Sequence, residues 1–196
     1  MVVVPLGSTL LDAYAALFEA CHSTCYCRFL HFTGAKNDWL ARCATAPEQN
    51  RDEQAALVRA GDDAARGLLA MHDDAALGWM KLAPRARLTK LTTQGAYRAL
   101  DLGDPDGVWA IGCMLVHPEH RGRGVARALV DAAASHVRVW GGRAVEGYPR
   151  RADYRLHDEE AHRGTEAMFR ACGFTRVAGE SPDAPYPVYR RDAVAT

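Results

Sequence analysis

Along the first third of the chain, apolar residues recur mostly at helical spacing. A short β-branched run, Val2 to Leu6, predicts a first strand. Leu10, Leu11, Tyr14, Leu17, Phe18 and Cys21 then repeat every three or four positions, which predicts a helix capped by Ser8 or Thr9. A stretch rich in cysteines and aromatics, CHSTCYCRFLHF, breaks that period. Asn37 opens a short helix through Trp39, Leu40 and Cys43. Asn50 with Glu53 resembles a capping box, starting a further helix that stops near Gly61.

From Gly67 the pattern changes. Residues 67–72 and 77–83 are apolar runs on either side of Asp73-Asp74, the mark of an antiparallel hairpin. Residues 85–107 begin basic and become rich in Gly, Asp and Pro, so they predict a long surface loop. Val108 to Val116 is almost continuously apolar, as in a central strand covered on both faces. Leu129, Ala132, Ala133, Val137 and Trp140 share one face of a helix running from about Val125 to Gly141. Three short strands are predicted at 144–148, around Arg176-Val177 and at 187–189. A short helix from Thr165 to Cys172, closed by Gly173, completes a single mixed α/β domain over residues 1–196.

Composition then narrows the function classes. At 196 residues the chain suffices for one well-buried core. Lys+Arg and Asp+Glu stand at 24 each, so no global field favours nucleic acid or a membrane surface, and any cationic role is local. MVVVPLGSTLL lacks the basic start of a signal peptide, and no apolar run approaches a membrane span. Six cysteines beside a full-sized core read as reduced thiols. Together these features predict a cytoplasmic protein.

The candidate chemistry lies at HPEHRGRGVARAL, residues 117–129, where a strand turns into a helix. A helix start presents backbone N–H groups without intrahelical partners and the positive end of the helix dipole. Gly122 and Gly124 let a ligand approach that backbone, and Arg121, Arg123 and Arg127 add donors suited to phosphate oxygens. The alternative reading is a solvated basic turn. The chain contains no G-x-x-x-x-G-K-S/T loop, and Arg127 stands where a dinucleotide fingerprint has its third glycine.

Arg121, Gly124 and Ala126 match the acyl-CoA signature R/Q-x-x-G-x-G/A of the GNAT superfamily of N-acyltransferases. MLVHP (114–118) and EAMFRACGF (166–174) resemble the patterns that flank the signature in that family, and the order of elements agrees. The resemblance is firmest over residues 67–190. GWMKLAPR, VEGYP and the segment Cys25-Tyr26-Cys27 are also similar to a bacterial subgroup with an early C-x-C.

The resemblance implies a mixed, mostly antiparallel central sheet flanked by helices, with acetyl-CoA as cosubstrate. The amine would attack the thioester directly. The Met114, Leu115 and Val116 strand edge would pair with the pantetheine arm, and an N–H near Leu115 or Val116 would polarise the thioester carbonyl. Residues Arg121 to Arg127, Val125 and Ala126 included, would hold the pyrophosphate. His162 lies where members often have an asparagine that contacts CoA. Glu146 is the first candidate for general base and His117 the second, each of which also reads as a structural group. Phe169 stands where many members place a tyrosine that protonates the leaving thiolate, so Tyr148 is the remaining hydroxyl. The charged stretch 150–164 is either a solvated loop or a flap in which Asp158, Glu159 or Glu160 attracts a cationic amine.

Cys21, Cys25 and Cys27, with His22 and His31 nearby, supply soft ligands, but the spacing is not C-x2-C and no metal is expected. If residues 25–27 are extended, Cys25 and Cys27 share a face. Packing, a metal or a reactive thiol are the readings open for this cluster, and Tyr26, Phe29 and Phe32 could line an acceptor pocket. Cys113 and Cys172 read as core. Two functions follow: an N-acetyltransferase acting on a primary amine of a small molecule or peptide, active as a monomer or a homodimer, or a catalytically weak CoA-binding or thiol/metal-sensing module on the same fold.

Overall fold

The computed structural model describes residues 1–93, 95–98, 100–151, 161–179 and 187–193. Its seven strands are β1 (Val2–Pro5), β2 (Gly67–His72), β3 (Ala75–Pro84), β4 (Val108–Val116), β5 (Ala144–Gly147), β6 (Thr175–Ala178) and β7 (Val188–Asp192). They form one sheet in the order β1-β2-β3-β4-β5-β7-β6. Only β4 and β5 run parallel; every other neighbouring pair is antiparallel. The helices are α1 (Leu11–Ala20), α2 (Lys36–Thr45), α3 (Pro47–Arg59), α4 (Thr89–Thr92), α5 (Gly95–Arg98), α6 (Val125–Val139) and α7 (Glu166–Ala171). This is the mixed, mostly antiparallel sheet flanked by helices that the sequence implied.

The central strands read as continuous apolar runs because both faces of the sheet are covered. On one face α6 sets Val125, Leu129, Ala133 and Val137 against Leu68, Met80, Leu82 and Ile111, and α7 adds Phe169. On the other, α1 packs Tyr14, Leu17 and Phe18 against Leu69, Met71 and Trp79. Beside them Leu88, Leu91 and Tyr97 close over Ala83, Ala110 and Leu30.

Three expectations need correction. Ser8 and Thr9 do not cap α1: they form a 3-10 turn, and no side chain caps the helix. Helix α3 starts at Pro47, whose ring presets the first helical φ, so Asn50 lies inside it, fully buried, and donates to Thr24 O at 3.0 Å. Residues 85–107 are more than a surface loop. They contain the turn Arg85–Arg87 and the short helices α4 and α5, and they bury Arg85, Leu88, Leu91 and Tyr97. The basic residues among those apolar positions obscured their spacing.

The segment between α1 and α2 is fixed by buried polar contacts. Tyr26 and Cys27 have φ of 42° and 54°, so this stretch is not extended, and the condition under which Cys25 and Cys27 would share a strand face is not met. Tyr14 Oη donates to Tyr26 O at 2.9 Å, and the Tyr26 ring stacks on Phe18, which places it in the core. Arg28, 4% exposed, donates through Nε to Glu53 at 3.0 Å and through Nη1 to Gln54 at 3.4 Å. Lys81, the one charged residue of the β2–β3 hairpin runs, is fully buried, and its Nζ donates to Ala64 O. Burial, and then the Arg28 charge, hold that amine well below its ordinary range.

Arg28 and Glu53 also border a cavity of about 510 Å³, lined further by His31, Ala64, Arg87 and Thr89. His31 Nε2 is buried there without a hydrogen-bond partner. Burial, followed by the charges of Lys81 and Arg28, lowers the His31 pKa from 6.5 to about 3. In the unfolded chain His31 takes up a proton near 6.5, whereas the folded protein resists until about 3. Stability contributed by the neutral imidazole is therefore complete above pH 6.5 and declines as the pH falls toward 3. In urea titrations across that window, His31→Asn should show a shallower acid loss than the wild type. Equal slopes would refute this role for His31.

Candidate active site

Strands β4 and β5 share a ladder for three residues only, Val108, Trp109 and Ala110 with Ala144, Val145 and Glu146. Beyond Ala110 the strands part. The cause is local to β4. Against β3, Leu82 faces Ile111 and Met80 faces Met114, so β4 carries one extra residue at Gly112-Cys113. Such a bulge bends its strand and increases its twist. The bend also brings other side chains close: a Cβ at Gly112 would come within 2.6 Å of Leu30 Cδ1, so that side chain would have to shift.

The register tells which backbone groups face the parting. His117 N donates to Leu77 O at 2.9 Å, and Val116, Leu115 and Met114 face Gly78, Trp79 and Met80. Hydrogen bonding alternates along an antiparallel ladder, so Leu115 N–H also points to β3. The N–H groups of Met114 and Val116 point to the β5 side. The Val116 carbonyl on that side accepts from Arg121 Nε at 3.3 Å and from Cys21 Sγ at 3.6 Å.

At the end of β4 the chain makes the 3-10 turn Pro118–His120 and enters α6 through Gly122 and Gly124, at φ of 72° and 83°. The first intrahelical bond is Ala128 N to Gly124 O, so the N–H groups of Val125, Ala126 and Arg127 have no acceptor inside the helix. A Cβ added at Gly122 or Gly124 would meet no atom within 4 Å, so this helix start is an open cradle. Arg121, Arg123 and Arg127 are all exposed around it.

The three predicted catalytic side chains lie in different surroundings. Glu146, the last residue of the shared ladder, is fully buried. Its carboxylate accepts from Arg85 Nη1 at 3.0 Å, from Arg190 Nη2 at 2.5 Å and from Tyr148 Oη at 2.6 Å. Both oxygens are thus engaged by two guanidinium groups and a phenol, which makes Glu146 a salt-bridge partner of the core. Tyr148 is buried as well, and burial, then the Glu146 charge, hold its phenol well above the ordinary range. His117 is half-buried, with Nδ1 accepting from Glu119 N at 3.3 Å and its ring edge-on to His120. A neutral ring in that arrangement carries its proton on Nε2.

Phe169 is fully buried against the backbone of Gly147, edge-on to Phe174 and stacked on Tyr189, so a core ring fills this position. His162 is exposed in the turn Ala161–Arg163, which lies beside β4. Asp158, Glu159 and Glu160 lie outside the described residues.

The cysteines depart most from expectation. Cys27 and Cys113 form a disulfide across 86 residues, so Cys113 is not a simple core thiol and Cys27 cannot be a thiolate ligand. Cys21, Cys25, Cys43 and Cys172 are free. Among the described residues no group of three or more His, Cys, Asp or Glu is arranged to hold a metal ion, and no helix is long and apolar enough to cross a membrane. The sequence reading also missed Arg85 and Arg190. Each has a second arginine beside it, Arg87 and Arg191, and nothing in the one-dimensional pattern tells which of the two reaches Glu146.

Residues 35–174 match the family model described as Acetyltransferase (GNAT) family. The PaiA N-acetyltransferase from Thermoplasma acidophilum, solved in complex with coenzyme A, is 11% identical with a TM-score of 0.53, over 98% of this chain and 99% of that one. The aminoglycoside 6'-N-acetyltransferase from Enterococcus faecium is 13% identical with a TM-score of 0.53, over 100% and 99%. An N-acetyltransferase from Staphylococcus aureus Mu50 is 11% identical with a TM-score of 0.53, over 98% of each chain. At these identities the likeness is one of fold. The curated proteins hold no significant match to the chain.

The Glu146 network yields a prediction of its own. Glu146→Ala would leave Arg85, 4% exposed, without its counter-ion and should cost ~3–5 kcal/mol, read as a lower urea midpoint. A midpoint unchanged from the wild type would refute the structural role.

Proposed function

Because the chain belongs to the GNAT acetyltransferase family, we propose that it transfers an acetyl group from acetyl-CoA to a primary amine of a small molecule or peptide. The observation that carries this reading is the open cradle at Gly122 and Gly124, placed directly after a strand whose edge has left its neighbour. The bacterial C-x-C subgroup and a cytoplasmic location belong to the same reading.

Bound acetyl-CoA supplies the activated acyl group. The N–H groups of Val125, Ala126 and Arg127, with Arg121 and Arg123, hold the pyrophosphate, as an anion at a helix start requires. The free edge of β4 over Met114 to Val116 holds the pantetheine arm. Of the two N–H groups turned toward the parting, Val116 or Met114 takes the oxyanion role expected near Leu115 or Val116. The turn Ala161–Arg163, which carries His162, lies beside β4, and His162 takes the CoA-contacting role expected from its position. Glu146 and Tyr148 act as positioning residues that fix β5 where the strands part. His117 offers its Nε2 proton at the cradle end, in place of the base role expected from its position. With Phe169 unable to donate a proton, direct attack relies on positioning and on these backbone donors.

A second reading, a thiol-responsive CoA-binding module without turnover, is favoured by the Cys27–Cys113 disulfide and by Phe169. Thiol release from acetyl-CoA separates the two. A transferase releases thiol faster when an acceptor amine is added, and a binding module does not.

Titration calorimetry tests the cofactor site. Wild type should bind acetyl-CoA in the micromolar range, and Gly124→Trp, which fills the cradle, should weaken binding by about tenfold or more. A folded wild type that does not bind would overturn both readings.

A further inference from the structure

We propose that the Cys27–Cys113 disulfide is a site of thiol–disulfide exchange with the thiol of CoA, in which Cys113 receives the CoA sulfur and Cys27 leaves. The proposal rests on the CoA-binding reading above. It uses a feature that acetyl transfer does not need.

Position comes first. Cys113 lies in the bulge of β4, immediately before Met114 to Val116 and on the part of the strand that has left β5. A thiol released from the pantetheine arm along that edge is delivered next to Cys113. Cys113 is partly exposed, whereas Cys27 is 4% exposed. The more exposed residue of the pair is therefore the one on β4.

The surroundings of Cys27 suit a leaving group. Trp79 Nε1 donates to Cys27 Sγ at 3.2 Å, and a sulfur that departs as thiolate keeps that donor. Stabilising the departing thiolate speeds exchange and selects which sulfur is attacked. Tyr26 and Cys27 occupy the left-handed region, which β-carbon-bearing residues rarely adopt, and opening the disulfide frees this strained pair from its tether to β4.

The other thiols are held elsewhere. Cys21 Sγ is bonded to Val116 O, Cys172 Sγ to Arg127 O, and Cys43 Sγ accepts from Asn50. Burial raises all three of these thiols above their ordinary range. Cys25 Sγ lies against Cys27 N and Ser23 Oγ.

The step balances without an outside oxidant. The S–S bond between Cys27 and Cys113 breaks, a bond forms between Cys113 and the CoA sulfur, and the CoA thiol proton passes to Cys27. The CoA sulfur is oxidised as the Cys27 sulfur is reduced. Two effects follow together: the segment between α1 and α2 loses its covalent hold on β4, and the pantetheine path is occupied by a tethered CoA. Accumulated product would thus switch the protein off; as free CoA falls, the Cys27 thiol attacks Cys113, expels CoA as its thiol and re-forms the Cys27–Cys113 bond.

The experiment uses the full chain purified without reductant. Before treatment it should show four alkylatable cysteines under denaturation. Incubation with free CoA should add the mass of one CoA, raise the count of alkylatable cysteines by one, and place the adduct on the Cys113 peptide; dithiothreitol should remove it. Desulfo-CoA should bind without an adduct. Cys113→Ser should form none, and because the peptide assignment comes from wild type, the test stands even if that variant fails to fold. Six alkylatable cysteines at the start, an adduct on Cys21 or Cys25, or calorimetric binding of CoA without an adduct would each overturn the exchange alone. Failure of CoA to bind at all would overturn the functional reading with it.

Discussion

Two parallel strands, β4 and β5, share three ladder pairs and then separate, and the backbone groups they turn toward the gap must be satisfied by something other than each other. Much of the rest of the molecule answers that constraint. On the β4 side the bulge at Gly112-Cys113 makes the departure, and Arg121 reaches back to the Val116 carbonyl. On the β5 side Glu146 stops the separation from spreading. Its carboxylate ties the turn after β3, through Arg85, to β7, through Arg190, at the vertex of the opening. A buried ion pair is a poor source of net stability, but it fixes one geometry sharply, because any other arrangement leaves charge without a partner. The opening is thus a wedge of fixed angle, and the helix start at Gly124 sits at its mouth.

The opposite face carries a second constraint. The segment between α1 and α2 crosses the sheet with two consecutive non-glycine residues, Tyr26 and Cys27, at positive φ. Each costs of order 1–3 kcal/mol and persists only where its surroundings over-determine it. Here those surroundings are Tyr14 on the Tyr26 carbonyl, Trp79 on the Cys27 sulfur and Arg28 bridged to Glu53 and Gln54. Burial lowers the pKa of both Lys81 and His31, and the nearby Arg28 charge adds to the shift in each.

How much of this was legible beforehand follows from the kind of information each feature needs. The hairpin at Asp73-Asp74, strand β4 and helix α6 are written in local periodicity, so these were read correctly, as was the glycine-bearing turn that opens α6. Residues 85–107 were not, because Leu88, Leu91 and Tyr97 are interleaved with Arg85, Arg87 and Lys90, and only tertiary packing decides which are buried. Glu146 was found as a residue, with base and salt-bridge partner both open, and spacing could not supply its partners. Its partners Arg85 and Arg190 stand 61 and 44 positions away. The pairing of Cys27 with Cys113 lay still further from local pattern, since connectivity among six cysteines is undetermined by spacing. Lys81 was the signal that could have been used: a lone lysine inside an apolar strand must find a carbonyl or lose its proton.

The place of β7 in the sheet bears on how the protein comes to be made. The last strand in chain order does not join at an edge. It inserts between β5 and β6 and brings Arg190 to Glu146. On a ribosome the sheet from β1 to β4 can therefore assemble while β5 still presents an unpaired edge and a carboxylate lacking one of its two cations. Closure waits for residues 188–192 to emerge. Until then the nascent chain exposes a strand that another copy could pair with, so the interval between synthesis of β5 and of β7 is when this protein is most open to association with a neighbour on the same message.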